Sequence, residues 1–257
     1  MTGFSFDLAG RVALITGASS GLGRRFAHSL ATSGASVVIG ARRVDLLDDL
    51  KGEIENGGGR ALAVRMDVAD EASVIAAYDA AEAAFGPVDT VVANAGLNAG
   101  GSALGLAAED FDRVVAVNLR GVFLTVREGA RRMVAAGAPE RAHGRITIIS
   151  SITAHHVSAG VAAYSATKAA VTQLGRSLAR DWANKGINVN ILCPGYIDTE
   201  LNADIWNAPM GKALLARFPR RRVMDAAALD PMLLYLCSDI SEQTTGSVFT
   251  IDDGQTL

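Results

Sequence analysis

Short β-rich runs alternate along this chain with longer stretches whose apolar positions recur at helical spacing. Residues 11–17 (RVALITG), 36–41 (SVVIGA), 89–95 (DTVVANA), 144–151 (GRITIISS) and 187–193 (INVNILC) are nearly continuous apolar runs. Residues 60–67 (RALAVRMD) alternate, and 247–251 (SVFTI) form a last short run. Between them the pattern predicts helices from the glycines after residue 17 to about Ser33, over 44–56, and from an Asp70 cap to Phe85, where Gly86-Pro87 stops it. Further helices are expected over 109–136, either unbroken or with an interruption, over 162–185 and over 225–238. Strands apolar on both faces and separated by helices predict a parallel sheet covered on both sides. Right-handed crossovers make such a chain a doubly wound α/β domain. No linker, repeat or low-complexity segment divides it, so one domain over 1–257 is expected.

One stretch breaks the rhythm. Residues 199–222 contain no clear strand, include Pro209 and Pro219, and carry Trp206, Met210, Leu214, Leu215 and Phe218. Two readings are open: a substrate lid, or a helical excursion packed on the core.

The first strand runs into Thr16-Gly17-Ala18-Ser19-Ser20-Gly21-Leu22-Gly23. Glycines there allow a sharp turn and close approach of a ligand, and the following helix offers free N–H groups to a phosphate. The spacing is GxxxGxG rather than GxGxxG. The second strand ends near the expected ribose site with Ala41-Arg42-Arg43 and no acid. A carboxylate there would hold a ribose 2′-hydroxyl, whereas a guanidinium suits a 2′-phosphate. The local chemistry favours NADP(H) over NAD(H); the plainer reading is that both arginines begin the next helix in solvent.

Composition narrows the partners. The 257 residues carry a net charge of −3 with 20% charged residues, which gives no basic domain for nucleic acid. No apolar run approaches a membrane span, and the first residues lack a signal-peptide pattern. Cys193 and Cys237 match no metal or redox spacing and suit a reducing compartment. A cytoplasmic protein without a metal site is expected.

Tyr164 and Lys168 stand four apart in a helical run, so phenol and ammonium share one face. A nearby cation favours the phenolate and makes the tyrosine a candidate acid/base for an alcohol or ketone oxygen. His155 and His156 precede it, and a histidine beside a pocket is more often structural or solvent-facing than catalytic.

The ordered set TGASSGLG, Asp67-Val68, Ala93-Asn94-Ala95-Gly96, Asn118, Ser151, Tyr164-x3-Lys168, and Pro194-Gly195 followed by Thr199 resembles the short-chain dehydrogenase/reductase family from about residue 11 to 254. The resemblance implies a single Rossmann-type domain, with a parallel sheet usually of seven strands, and hydride transfer between a nicotinamide cofactor and an alcohol or carbonyl. It implies Tyr164 as acid/base, Lys168 as the residue that lowers its pKa and binds the nicotinamide ribose, Ser151 on the substrate oxygen, and Asn118 holding a relay water. Ser150 would face the other way. Gly17, Gly21 and Gly23, with Ser19, Ser20 and Leu22, would line the pyrophosphate turn. Asp67 and Val68 would meet the adenine, and Asn94, Ala95 and Gly96 the ribose side. Ile197 and Thr199, after Pro194 and Gly195, would hold the carboxamide. Two departures stand out: Ala93 replaces the usual first Asn, and the turn carries no basic residue. A 2′-phosphate would therefore depend on Arg42, Arg43 or a serine hydroxyl.

The expected function is NADP(H)-dependent interconversion of a ketone and a secondary alcohol. Alternatives are an NAD-dependent alcohol or hydroxysteroid dehydrogenase, a 3-oxoacyl-thioester reductase, or a catalytically silent nucleotide-binding regulator. Candidate substrate contacts are Ser151, His155, His156, Tyr196 and Trp206, with 97–104 as a further wall. The family implies a dimer or tetramer. The alanine-rich helices 109–136 and 162–185 could pack on copies of themselves or on their own sheet.

Overall fold

The structure, a computed structural model, describes residues 6–197, 206 and 209–257. Seven strands form one parallel sheet in the order β3-β2-β1-β4-β5-β6-β7. They are β1 Val12–Thr16, β2 Ser36–Ala41, β3 Arg60–Arg65, β4 Thr90–Ala93, β5 Gly144–Ile149, β6 Ile187–Pro194 and β7 Val248–Ile251. The helices are α1 Gly21–Thr32, α2 Val44–Asn56, α3 Glu71–Phe85, α4 Ala108–Val115, α5 Val122–Ala135, α6 Ala138–Arg141, α7 Ala162–Trp182, α8 Pro209–Leu215 and α9 Asp230–Cys237.

The apolar strands serve two cores because alternate side chains face opposite ways. Leu14, Val38, Val91, Ile146 and Val189 join α3, α5 and α7 on one face. Ala13, Ile15, Val37, Ile39, Val92 and Leu192 join α1, α2 and α9 on the other. In β1, Ala13 pairs in register with Val37 of β2 and Thr90 of β4. The chain order reverses between β1 and β4, so a crevice opens at their carboxyl ends, where doubly wound sheets take ligands.

Where element ends differ from the sequence pattern, a local hydrogen bond is the reason. β4 stops at Ala93 because the N–H groups of Asn94 and Ala95 turn to Thr16 Oγ1, at 3.1 and 3.0 Å. β5 stops at Ile149, and Ser151 then caps a 3₁₀ turn, Ile152–Ala154, accepting from Thr153 N at 3.2 Å. The 109–136 helix is interrupted by a π-helical segment, Ala116–Gly121, which presents buried Asn118. Asp225 caps a 3₁₀ turn before α9.

The 199–222 excursion is closed at its neck. Ile197 bridges Met224 in parallel, and Met224 N donates to Tyr196 O at 3.2 Å. Phe218, expected among exposed apolar groups, is buried and stacks on Tyr196 with ring centroids 5.6 Å apart. A π face of that size is more stable against another ring than in water. Thr199 and the first part of the excursion lie outside the described residues.

Candidate active site

Two neighbouring cavities open at the carboxyl ends of the strands. One, about 520 Å³, is lined by Gly17, Ser19, Ser20, Gly21, Leu22, Gly23, Arg42, Arg43, Asp67, Val68, Asn94, Ala95 and Gly96, together with Ala41, Met66, Leu97 and Val117. Nearly the whole predicted cofactor half is thus brought together. Gly21 has φ +55°, and a Cβ there would meet nothing within 4 Å, so the backbone faces open space. A Cβ on Gly23 would lie 2.3 Å from Gly17 O, so only glycine lets α1 approach the turn this closely. The cap residue of α1, Ser20, makes no side-chain bond to the first-turn N–H groups, which leaves them available to an anion. Arg43 reaches over the turn and donates to Ser19 Oγ and Ser20 Oγ, both at 2.9 Å. The guanidinium and two hydroxyls make a donor cluster at the edge of the cradle. These residues fit a dinucleotide bearing a ribose phosphate. Thr16, absent from the predicted set, ties β1 to β4 under the cradle, and Asn94 Nδ2 reinforces it by donating to Thr16 O at 2.9 Å.

The second cavity, about 480 Å³, shares Leu22, Asn94, Gly96 and Leu97 with the first. Its walls include Ser151, Tyr164, Lys168, Pro194, Gly195, Tyr196 and Ile197, with Asn98, Thr153 and Val161. Helix α7 sets Tyr164 and Lys168 one turn apart, and the 3₁₀ turn after β5, capped by Ser151, brings that serine to the same cleft. The Ser151 hydroxyl hydrogen-bonds the Tyr164 phenol.

Electrostatics here differ from the simplest sequence argument. Burial raises the Tyr164 pKa, and only the Ser151 hydrogen bond pulls against it. Lys168 Nζ lies 5.4 Å from the centre of the Tyr164 ring and donates to Ile149 O at 2.8 Å. Burial pushes the Lys168 ammonium down to about 8, because desolvation penalises the charged form.

Lys168 is held at both ends. Its tip bonds Ile149 O, and its carbonyl accepts from Ser150 Oγ at 2.9 Å and Thr172 Oγ1 at 2.8 Å. Ser150 Oγ and Thr172 Oγ1 lie 2.8 Å apart, so either hydroxyl can turn its one hydrogen to the other instead of to the carbonyl. Ser150, expected to face the other way from Ser151, also lines the cleft, and its hydroxyl reaches the same helix α7.

Asn118 spends its side chain on structure. Leu97 N donates to Oδ1 at 2.8 Å, while Nδ2 donates to Leu97 O at 2.8 Å and Thr167 Oγ1 at 3.2 Å. Both amide hydrogens are committed, so this side chain could meet a relay water only as an acceptor, through Oδ1. His155 and His156 are exposed and do not line the cleft. Trp206 stands behind Tyr196, edge-on at 5.9 Å, rather than among the lining residues. Gln255 had no signal in the pattern, yet its amide accepts from Tyr196 N at 2.6 Å and donates to Tyr196 O at 3.0 Å. Among the described residues no cluster of His, Cys, Asp or Glu could hold a metal.

Fold and cleft together define a dinucleotide-binding dehydrogenase. The short chain dehydrogenase family model matches residues 11–209. The chain is 39% identical over 249 residues to cis-4-hydroxycyclohexanecarboxylate dehydrogenase of Sinomonas cyclohexanicum, covering 96% of this chain and 97% of that one. It is 34% identical over 254 residues to D-threitol dehydrogenase of Mycolicibacterium smegmatis, covering 99% and 96%. A gluconate 5-dehydrogenase from Burkholderia cenocepacia, solved with NADP and tartrate, superposes with a TM-score of 0.90 at 35% identity, covering 98% and 97%. The chain belongs to the short-chain dehydrogenase family.

Proposed function

We propose that this protein is an NADP(H)-dependent oxidoreductase that interconverts a secondary alcohol and a ketone, with Tyr164 as the acid/base. The observation that carries the reading is the Ser151–Tyr164–Lys168 group in a cleft continuous with the glycine cradle. When bound, the nicotinamide supplies or accepts the hydride. In the reducing direction Tyr164 gives its hydroxyl proton to the carbonyl oxygen, and Ser151 donates a hydrogen bond to the same oxygen as charge builds there. In the oxidising direction the tyrosine takes the alcohol proton. Lys168 stands ready to exchange its bond to Ile149 O for the ribose hydroxyls, and a cation brought beside the phenol offsets part of the burial that raises its pKa.

Arg43 with Ser19 and Ser20 supports NADP(H), and relatives solved with bound NADP point the same way. For assembly, Phe111 on α4 and Phe123 and Val134 on α5 are exposed apolar groups, which supports packing of these helices against a second copy; gel filtration reads that directly. The test of the function is a panel of ketones and alcohols followed by nicotinamide absorbance with both cofactors. Turnover with NADPH or NADP⁺ that exceeds the NADH or NAD⁺ rate is expected. Binding of NADPH without turnover of any compound would leave a nucleotide-binding regulator instead.

A further inference from the structure

Tyr196 is built into the cleft more firmly than a wall residue requires. Its main chain is gripped by Gln255 on both N and O and by Met224 N on O. Its ring is stacked on Phe218 and met edge-on by Trp206. A buried phenylalanine would satisfy all of these contacts. The phenol adds one thing: its hydroxyl lies 3.2 Å from Ser158 Oγ, on the segment that leaves β5. Tyr196 lines the same cleft as Tyr164 and Ser151.

A tyrosine and a serine hydroxyl share one hydrogen between them, which leaves a second hydrogen and several lone pairs unspent. That set matches a substrate hydroxyl, itself donor and acceptor. The indole N–H of Trp206 is likewise buried, with no partner among the described residues. The remaining wall mixes apolar Leu97, Ile152 and Val161 with uncharged polar Asn94, Asn98 and Thr153. Lys168 is the one charged side chain among the described residues lining the cleft, and its ammonium already bonds Ile149 O. Residues 198–208 add no Lys, Arg or His in sequence. A carboxylate bound here would find no free side-chain cation to pair with among the described lining residues, which disfavours it.

We propose that Tyr196, with Ser158, selects the substrate: an uncharged alcohol or ketone bearing a second hydroxyl group, which this pair recognises. The proposal rests on the reading of the cleft as the hydride-transfer site. A site made to bond a hydroxyl discriminates against the analogue that lacks it, because its own polar groups are then left unpaired.

Three probes test it on the purified full chain with NADP⁺: cis-1,4-cyclohexanediol, cyclohexanol and cis-4-hydroxycyclohexanecarboxylate, each read as kcat/KM. The diol should exceed both others by at least about tenfold. Tyr196→Phe and Ser158→Ala should each bring the diol-to-cyclohexanol ratio to within about threefold of unity, a change in ratio that a purely structural contact would not produce. Thermal melting confirms that both variants fold. Equal use of diol and cyclohexanol, a preference for the carboxylate, an unchanged ratio in both variants, or no turnover of any of the three overturns the proposal. The hydride-transfer reading fails separately, if Tyr164→Phe retains turnover of whichever alcohol the wild type oxidises.

Discussion

At the residue scale, Tyr164 and Arg43 carry the separable parts of the chemistry. Tyr164→Phe removes one oxygen from a helix whose packing is otherwise kept, so NADPH binding by fluorescence titration should stay within about threefold while turnover falls by about 10² to 10⁴, the usual worth of a positioned acid/base. Near-normal turnover would refute the assignment. Arg43→Ala removes the guanidinium that bridges Ser19 and Ser20. A charge-assisted bond to phosphate is worth about 1.5–3 kcal/mol, so NADPH affinity should fall by about 10- to 100-fold. NADH affinity should move by less than about threefold, since the charge is paired only with the extra phosphate. Equal losses for both cofactors would show Arg43 serving the cradle as a whole.

The element scale shows what was legible in the sequence. The inner strands could be read because each is apolar on both faces, and the glycine turn because Gly17, Gly21 and Gly23 sit where a strand gives way to a helix. Tyr164 and Lys168 followed from one helical turn of spacing. Long-range partners could not be read. Nothing in the pattern links Gln255 to Tyr196, or Ser150 to Lys168, because those pairs meet only after the sheet is ordered. Nor does spacing report that burial, rather than the neighbouring ammonium, dominates the Tyr164 phenol. The Ser150–Thr172–Lys168 contacts fasten α7 to the end of β5 and so set where Tyr164 meets Ser151. Thr172→Val removes one hydroxyl of this bracket and Thr172→Ser keeps it. We expect Val to lower kcat by about tenfold with little change in NADPH affinity, and Ser to restore most of it, since misplacement of about 1 Å can cost more than this. Loss in Ser with activity kept in Val would mean the methyl group, not the hydroxyl, is what matters.

On the scale of the whole molecule, the two ends of the sheet are put to different uses. The carboxyl ends hold the cleft, while the opposite end is clasped by buried Arg11 and Arg145: Arg11 pairs with Asp89 and Asp239, and Arg145 reaches Ser238 O at 3.0 Å. A second clasp joins α3 to α5, where Arg132 bonds Glu82, Asp79 and the buried Glu128 at 2.7, 2.7 and 2.8 Å. Burial alone would raise the Glu128 pKa, but hydrogen bonds from Arg132 and Arg131 outweigh it, and the carboxyl titrates below its ordinary value. The folded state therefore holds this proton less tightly than the unfolded chain does. The clasp contributes its full stability above the unfolded carboxylate pKa of about 4.5 and loses it as pH falls through the lower, folded value. Glu128→Gln should lower Tm at pH 7 by roughly 3–10 °C for a chain of this size. It should also flatten the decline of Tm below pH 4.5, since the variant has no carboxylate left to protonate. Melting curves of both proteins between pH 3 and pH 7 decide this. A variant whose Tm falls as steeply in acid as the wild type would place the acid sensitivity elsewhere, at Asp239 beneath Arg11, whose pKa is also lowered.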